Sequence, residues 1–176
     1  LQQIRNNLQD FKEQVAIRRT NNQKTTMYTA TEHVPNSFTK SIPVESYWSA
    51  IFAGSLNATG FLRWAFDAWV KNPLEESTHW SFPAGDCFLV YPSLKDDIKR
   101  ESKFTLRLAK LDEGVRDVNK LYLMKNVGVE FEKKVEDLFS QIKGKEENHY
   151  EFYKMAYRKW QTINAIRYEE NQRKNI

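Results

Sequence analysis

Residues 60–69, Gly-Phe-Leu-Arg-Trp-Ala-Phe-Asp-Ala-Trp, set an arginine, an aspartate and two tryptophans in an otherwise apolar stretch. The stretch reads as a buried strand, where a charge is costly unless it is paired or faces a cavity. Side chains alternate along a strand, so Arg63 faces away from Trp64. Arg63 is expected to find a carboxylate and brace the fold. Trp64 and Trp69 offer large aromatic faces on which the apolar face of a sugar could stack, unless Trp64 fills the core. Asp67, just past the strand, could accept hydrogen bonds from hydroxyl groups. A second group gathers near a preceding loop: Tyr28, His33 and Asn36, with Glu32 among them. His79 and Trp80 lie in a long loop from Lys71 to Gly85, a candidate lid.

Other chemistries find less support. The only adjacent Asp-Glu pair is Asp112-Glu113, within a helical pattern. Consecutive helical residues diverge by about 100°, so these two do not converge on one ligand and read as a solvated face. A single cysteine, Cys87, permits no internal disulfide and no cysteine-based zinc site; it reads as a small buried side chain. No cluster has metal-ligand spacing and no glycine-rich phosphate loop is present, so neither metal nor cofactor is expected. A formal charge of +4 is small for 176 residues and gives no reason to expect a nucleic-acid partner. No apolar run approaches the roughly 20 residues of a membrane span. The chain opens at Leu1, inside a helical pattern and without a leader. It therefore reads as a piece of a longer protein whose address the sequence leaves open, the cytoplasm being slightly favoured.

The elements that would position these residues follow from periodicity. Ile4, Leu8, Phe11 and Val15 mark a helix over 1–18. Thr25–Ala30 is a β-branched and aromatic strand. Pro43 opens a helix over 44–56, with Glu45 in its first turn. Residues 60–69 and 87–91 give two further strands, and the charged segment 93–102 is exposed. Phe104, Leu108, Leu111, Val115, Val118 and Tyr122 predict a buried helical stripe. Helices over 128–142 and 146–171 complete the chain, the last with Tyr150, Tyr153, Tyr157, Trp160, Ile163 and Ile166 at core spacing. The alternation of helix and strand implies parallel strands with crossover helices, an α/β fold. Two or three strands are too few to close a barrel.

Three blocks carry a family resemblance: MYTATEHVPNSF (27–38), GFLRWAFDAWVKNPLEES (60–77) and FPAGDCFLVYPS (82–93), with LRLAKLDEGVRDVNKL (106–121) as a weaker fourth. In this order, over about residues 5–124, they resemble the C-terminal part of the glycoside hydrolase family 123 catalytic domain. The resemblance implies the last strands of a (β/α)8 barrel, two to three of them, with additional C-terminal helices. Residues 1–125 would be barrel and 126–176 a helical extension packed on it, as one domain overall. It further implies an exo-acting N-acetyl-β-galactosaminidase in which the substrate's own acetamido oxygen attacks the anomeric carbon. An Asp would polarise that group and an adjacent Glu would act as acid and then base, a departure from the two-carboxylate scheme. That pair would lie upstream, on strands this chain does not include, so the chain alone would be inactive. Barrel sites lie at the C-terminal ends of strands. The substrate-binding candidates are therefore Trp64, Asp67, Trp69, His33, Asn36 and Tyr28. Arg107, a recurrent arginine of the family, would pair with Asp86 or Asp117.

The expected partners are a carbohydrate and the rest of the parent barrel, and the exposed strand edges of the isolated chain would be met by a second copy or covered by the last helices. Two other readings stay open: a non-catalytic carbohydrate-binding or scaffold domain, and a helical interaction module built on the tyrosine-rich last helix.

Overall fold

In a computed structural model, the structure describes residues 7–31, 33–94, 98–99, 101–142 and 149–174. They form five helices and four short strands: α1 (Leu8–Thr20), β1 (Thr26–Tyr28), α2 (Pro43–Ser55), β2 (Gly60–Leu62), β3 (Val90–Tyr91), β4 (Lys103–Phe104), α3 (Leu106–Lys125), α4 (Val129–Ser140) and α5 (His149–Lys174). The opening residues of the predicted first helix and the position of Glu32 lie outside the described residues.

The fold centres on α2. Pro43 sits where its missing N–H is least missed, at the helix start, and every residue from Glu45 to Ser55 is buried. The helix is the crossover between β1 and β2, which pair in parallel in the register Thr26↔Gly60, Met27↔Phe61 and Tyr28↔Leu62. This βαβ unit is what the alternating pattern predicted. Against α2 lies α3, capped by the Thr105 hydroxyl, which accepts from the Leu108 N–H at 3.2 Å. Two glycines allow the helices to approach. A Cβ on Gly114 would lie 2.3 Å from the Tyr47 carbonyl oxygen, and one on Gly54 would lie 2.1 Å from a Val118 methyl. One apolar core takes Met27, Trp48, Phe52, Leu121, Phe131, Phe152 and Ile163 from β1 and from α2 to α5.

Several expectations need correction. Residues 60–69 are not one strand: pairing ends at Leu62, and Arg63 turns inward onto Asn36 and Asp86. Only Val90–Tyr91 of the predicted 87–91 strand is a ladder, antiparallel to the unforeseen β4. The residues before it meet the chain after β2 instead, through a bridge between Asp67 and Phe88. The stripe predicted for α3 is met at Val118, and Tyr122 packs against the core, but it fails elsewhere. Phe104 precedes the helix and is exposed, and so is Val115, while Arg107, Gly114, Asp117, Val118, Leu121 and Met124 face inward. Two of these six, Arg107 and Asp117, are charged, and each has a buried partner. Tyr47 donates to Asp117 at 2.8 Å, and Arg167 of α5 pairs with Asp117 at 3.0 Å. The stripe of α5 is met at its C-terminal half and displaced before it. Ile163 and Ile166 are buried as expected, Phe152 and Ala156 join them in the core, and Tyr150, Tyr157 and Trp160 are exposed.

Candidate functional site

Three loops meet at the C-terminal ends of β1 and β2, and Arg63 joins them. Its Nη1 donates to Asn36 Oδ1 at 2.6 Å, and its Nη2 to the Asp86 carbonyl and carboxylate at 2.9 and 3.0 Å. Both side chains of the ion pair are buried, at 6% and 3% exposure, so neither charge is screened by water. The guanidinium also lies over the Phe38 ring, 5.7 Å from its centroid. Burial draws Arg63 below the usual arginine range, and the Asp86 carboxylate opposes that shift. Arg63 therefore has the bracing partner its sequence context called for.

Asn36 is fully committed inside the protein. Its Nδ2 donates to the carbonyls of Ala30 and His33 at 3.0 and 3.1 Å, and its Oδ1 accepts from Arg63 and from the Ser37 N–H. A side chain with 1% exposure and no spare donor has nothing left for a ligand in this arrangement. It holds the loop that carries His33. Arg107 supplies a second brace, but not to a carboxylate. Its Nη1 donates to the carbonyls of Ser37 and Gly85 at 2.6 and 2.7 Å, while Asp86 is taken by Arg63 and Asp117 by Tyr47 and Arg167. Gly85 is required here twice over. Its φ of +77° suits glycine, and a Cβ would come within 2.7 Å of the Arg107 guanidinium.

Above this braced floor the other candidates are accessible. Trp64 is 53% exposed and Trp69 40%, and Asp67 is exposed between them. Trp69 is fixed by its indole N–H, which donates to the Val90 carbonyl at 2.8 Å and leaves the ring face open. The segment carrying Asp67 is held by two backbone bonds, Ala68 N–H to Cys87 and Leu89 N–H to Phe66. Tyr28 ends β1, partly exposed, and His33 is half-buried. His33 shares a cavity of about 430 Å³ with Thr31, Lys40 and Glu45. No ring contact joins Trp64 to Trp69 among the described residues. Trp64 instead neighbours Phe82 at 6.4 Å, and Phe82 neighbours Trp80 at the same distance. Phe82 was not singled out in the sequence, where a lone aromatic before a proline gives no signal. Cys87 is buried, and burial pushes its thiol up, away from nucleophilic use.

The arrangement can bind more readily than it can react. Exposed indole faces with one carboxylate suit a ligand that is apolar on one face and hydroxylated at its edge, as a pyranose is. Asp112 and Glu113 lie on α3, ion-paired to Arg116 and Lys110 of the same helix. Among the described residues, no group of three His, Cys, Asp or Glu side chains could hold a metal ion. No described helix is long and apolar enough to cross a membrane.

Comparison with known proteins gives the class of this chain, that of glycoside hydrolase catalytic domains. The family model described as "Glycoside hydrolase 123, catalytic domain" matches residues 3–124. A solved family 123 glycoside hydrolase from Clostridium perfringens, whose structural analysis concerned glycolipid glycan hydrolysis, superposes with a TM-score of 0.83 at 33% identity. That similarity covers 95% of this chain and 31% of the Clostridium chain, so this chain spans about a third of that protein's length. A comparison with curated protein sequences finds no match. The chain belongs to glycoside hydrolase family 123.

Proposed function

We propose that this chain is the C-terminal portion of a family 123 catalytic barrel, and that it forms one wall of the sugar site. The parent protein hydrolyses glycosides of N-acetylhexosamine, N-acetyl-β-galactosaminides in the first place, with the substrate's acetamido group as nucleophile. Glycolipid glycans are the natural class to try first, given the subject of the Clostridium work. In this reading residues 1–125 are barrel and 126–176 a helical extension. The catalytic Asp-Glu pair lies outside this chain, which alone does not turn over substrate.

The observation that carries the proposal is the braced floor of Arg63, Asn36 and Asp86. It fixes three loops at the C-terminal ends of two parallel strands, where barrel enzymes keep their sites. It also carries Trp64, Asp67 and Trp69 on its solvent side, as the sugar-contacting set, with Tyr28 and His33 at its margin. Asn36 enters as a positioning residue. The exposure of Leu62, Phe66 and Leu74 supports the same picture, as surface that the rest of the barrel would cover. Without that cover, the isolated chain would bury it by self-association.

The test is a glycosidase assay of the full-length parent with methyl and nitrophenyl glycosides of N-acetylgalactosamine and N-acetylglucosamine, beside the 176-residue chain. The parent is expected to release N-acetylgalactosamine and the chain to release nothing. A parent that binds these sugars without cleaving any of them would instead support a carbohydrate-binding domain.

A further inference from the structure

Trp80 is an anomaly of the loop between β2 and β3. It is 83% exposed, more than Trp48, Trp64, Trp69 or Trp160. Its backbone is in the left-handed region, with φ +55°. The His79 carbonyl accepts from the Phe82 N–H at 3.1 Å, so residues 79–82 form a tight turn with Trp80 at its second position. A positive φ there favours Gly, Asn or Asp, and a bulky residue is strained. Local backbone preference selects against tryptophan at this position, and contact with a ligand is a reason to hold one there.

The ring is not isolated. His79 lies 4.8 Å from it and Phe82 6.4 Å, and Phe82 is in turn 6.4 Å from Trp64. The turn is anchored from behind, where the Gly85 N–H donates to the Ser77 carbonyl and the Thr78 N–H to the Glu76 carboxylate. Trp80 thus continues the wall that begins at Trp64, one ring farther out. In an exo-acting enzyme the terminal sugar fills the pocket, and the glycan continues only on the leaving-group side.

We infer that Trp80, backed by Phe82, stacks on the first sugar of the leaving group and gives the enzyme its preference for glycans over small aglycones. This deepens the hydrolase reading above and rests on it.

The full-length enzyme is compared with its Trp80→Ala, Trp80→Phe and Trp80→Gly variants. One substrate is a methyl N-acetyl-β-galactosaminide and the other a disaccharide with a hexose as leaving group. Trp80→Ala is expected to lower kcat/KM about tenfold on the disaccharide, mainly through KM, and to leave the methyl glycoside unchanged. Trp80→Phe should restore most of the loss. Trp80→Gly, which suits the positive φ, should raise the melting midpoint while showing the same loss on the disaccharide. Equal falls on both substrates, or no fall on the disaccharide, would overturn the assignment. Turnover of neither substrate by the unaltered enzyme would overturn the hydrolase reading, and this assignment with it.

Discussion

Arg63 and Asp86 face each other in a place almost closed to water. Replacing such a pair by apolar residues can be harmless, but removing one partner strands the other charge. Arg63→Ala is therefore expected to cost about 3–5 kcal/mol. Asn36→Ala, which removes the acceptor of Arg63 Nη1 and of the Ser37 N–H together with a donor to the Ala30 and His33 carbonyls, should cost about 1–3 kcal/mol. The two losses should fall short of additivity, since both residues belong to one network. Urea unfolding of the single and double variants measures this, and full additivity would remove the case for a shared lock. The pairing of Arg63 with a carboxylate was legible in the sequence, because a charge in an apolar run must be compensated. That its other partner is Asn36 was not, because 27 residues of chain separate them and only folding brings them together.

At the scale of elements, the contact between α2 and α3 turns on two glycines. Gly114 lets the third helix touch the backbone of the second at Tyr47, and no side chain there can move aside to relieve a clash. Gly114→Ala should force the helices apart and destabilise the protein by about 1–3 kcal/mol, although alanine favours the helix intrinsically. A thermal midpoint at or above that of the unaltered chain would refute it. The same contact explains why periodicity misread α3. An apolar stripe through Phe104, Leu111 and Val115 is the natural reading when polar residues are assumed to face water. The inward face is set by Arg107 and Asp117, whose partners lie on other elements, and by glycines that look neutral in a pattern. On α4 no such polar anchors intrude, and Phe131, Val135 and Leu138, with Ile142 just past the helix end, are buried as their spacing predicted.

At the scale of the whole molecule, α5 is tied to the rest by buried phenols and charges. Tyr153 donates to Glu45 at 3.1 Å, and burial beside that carboxylate pushes its pKa up to about 12. Tyr47, beside Asp117, and Tyr122, in its buried setting, are also raised. An unfolded tyrosine ionises near pH 10. Below that, both states carry the proton and the contribution is complete. As pH rises from about 10 to 12, the unfolded chain releases protons that the folded one retains, so stability falls. Stability from urea unfolding should be flat up to about pH 10 and then drop, with Tyr153→Phe making the drop shallower. An unchanged slope in that variant would place the alkaline loss elsewhere.

The sequence by itself determined the βαβ order, the helix that Pro43 opens, the inward face of α4 and the family, because each is written in contiguous residues. The tertiary structure alone decided where the 60–69 stretch stops being strand and which way α3 turns. It also decided that Asn36 braces the floor rather than standing open, and that Trp80 extends the aromatic wall. Those outcomes depend on partners distant in the chain. A buried polar group is stable only where a partner meets it, and no local pattern records which residue that will be.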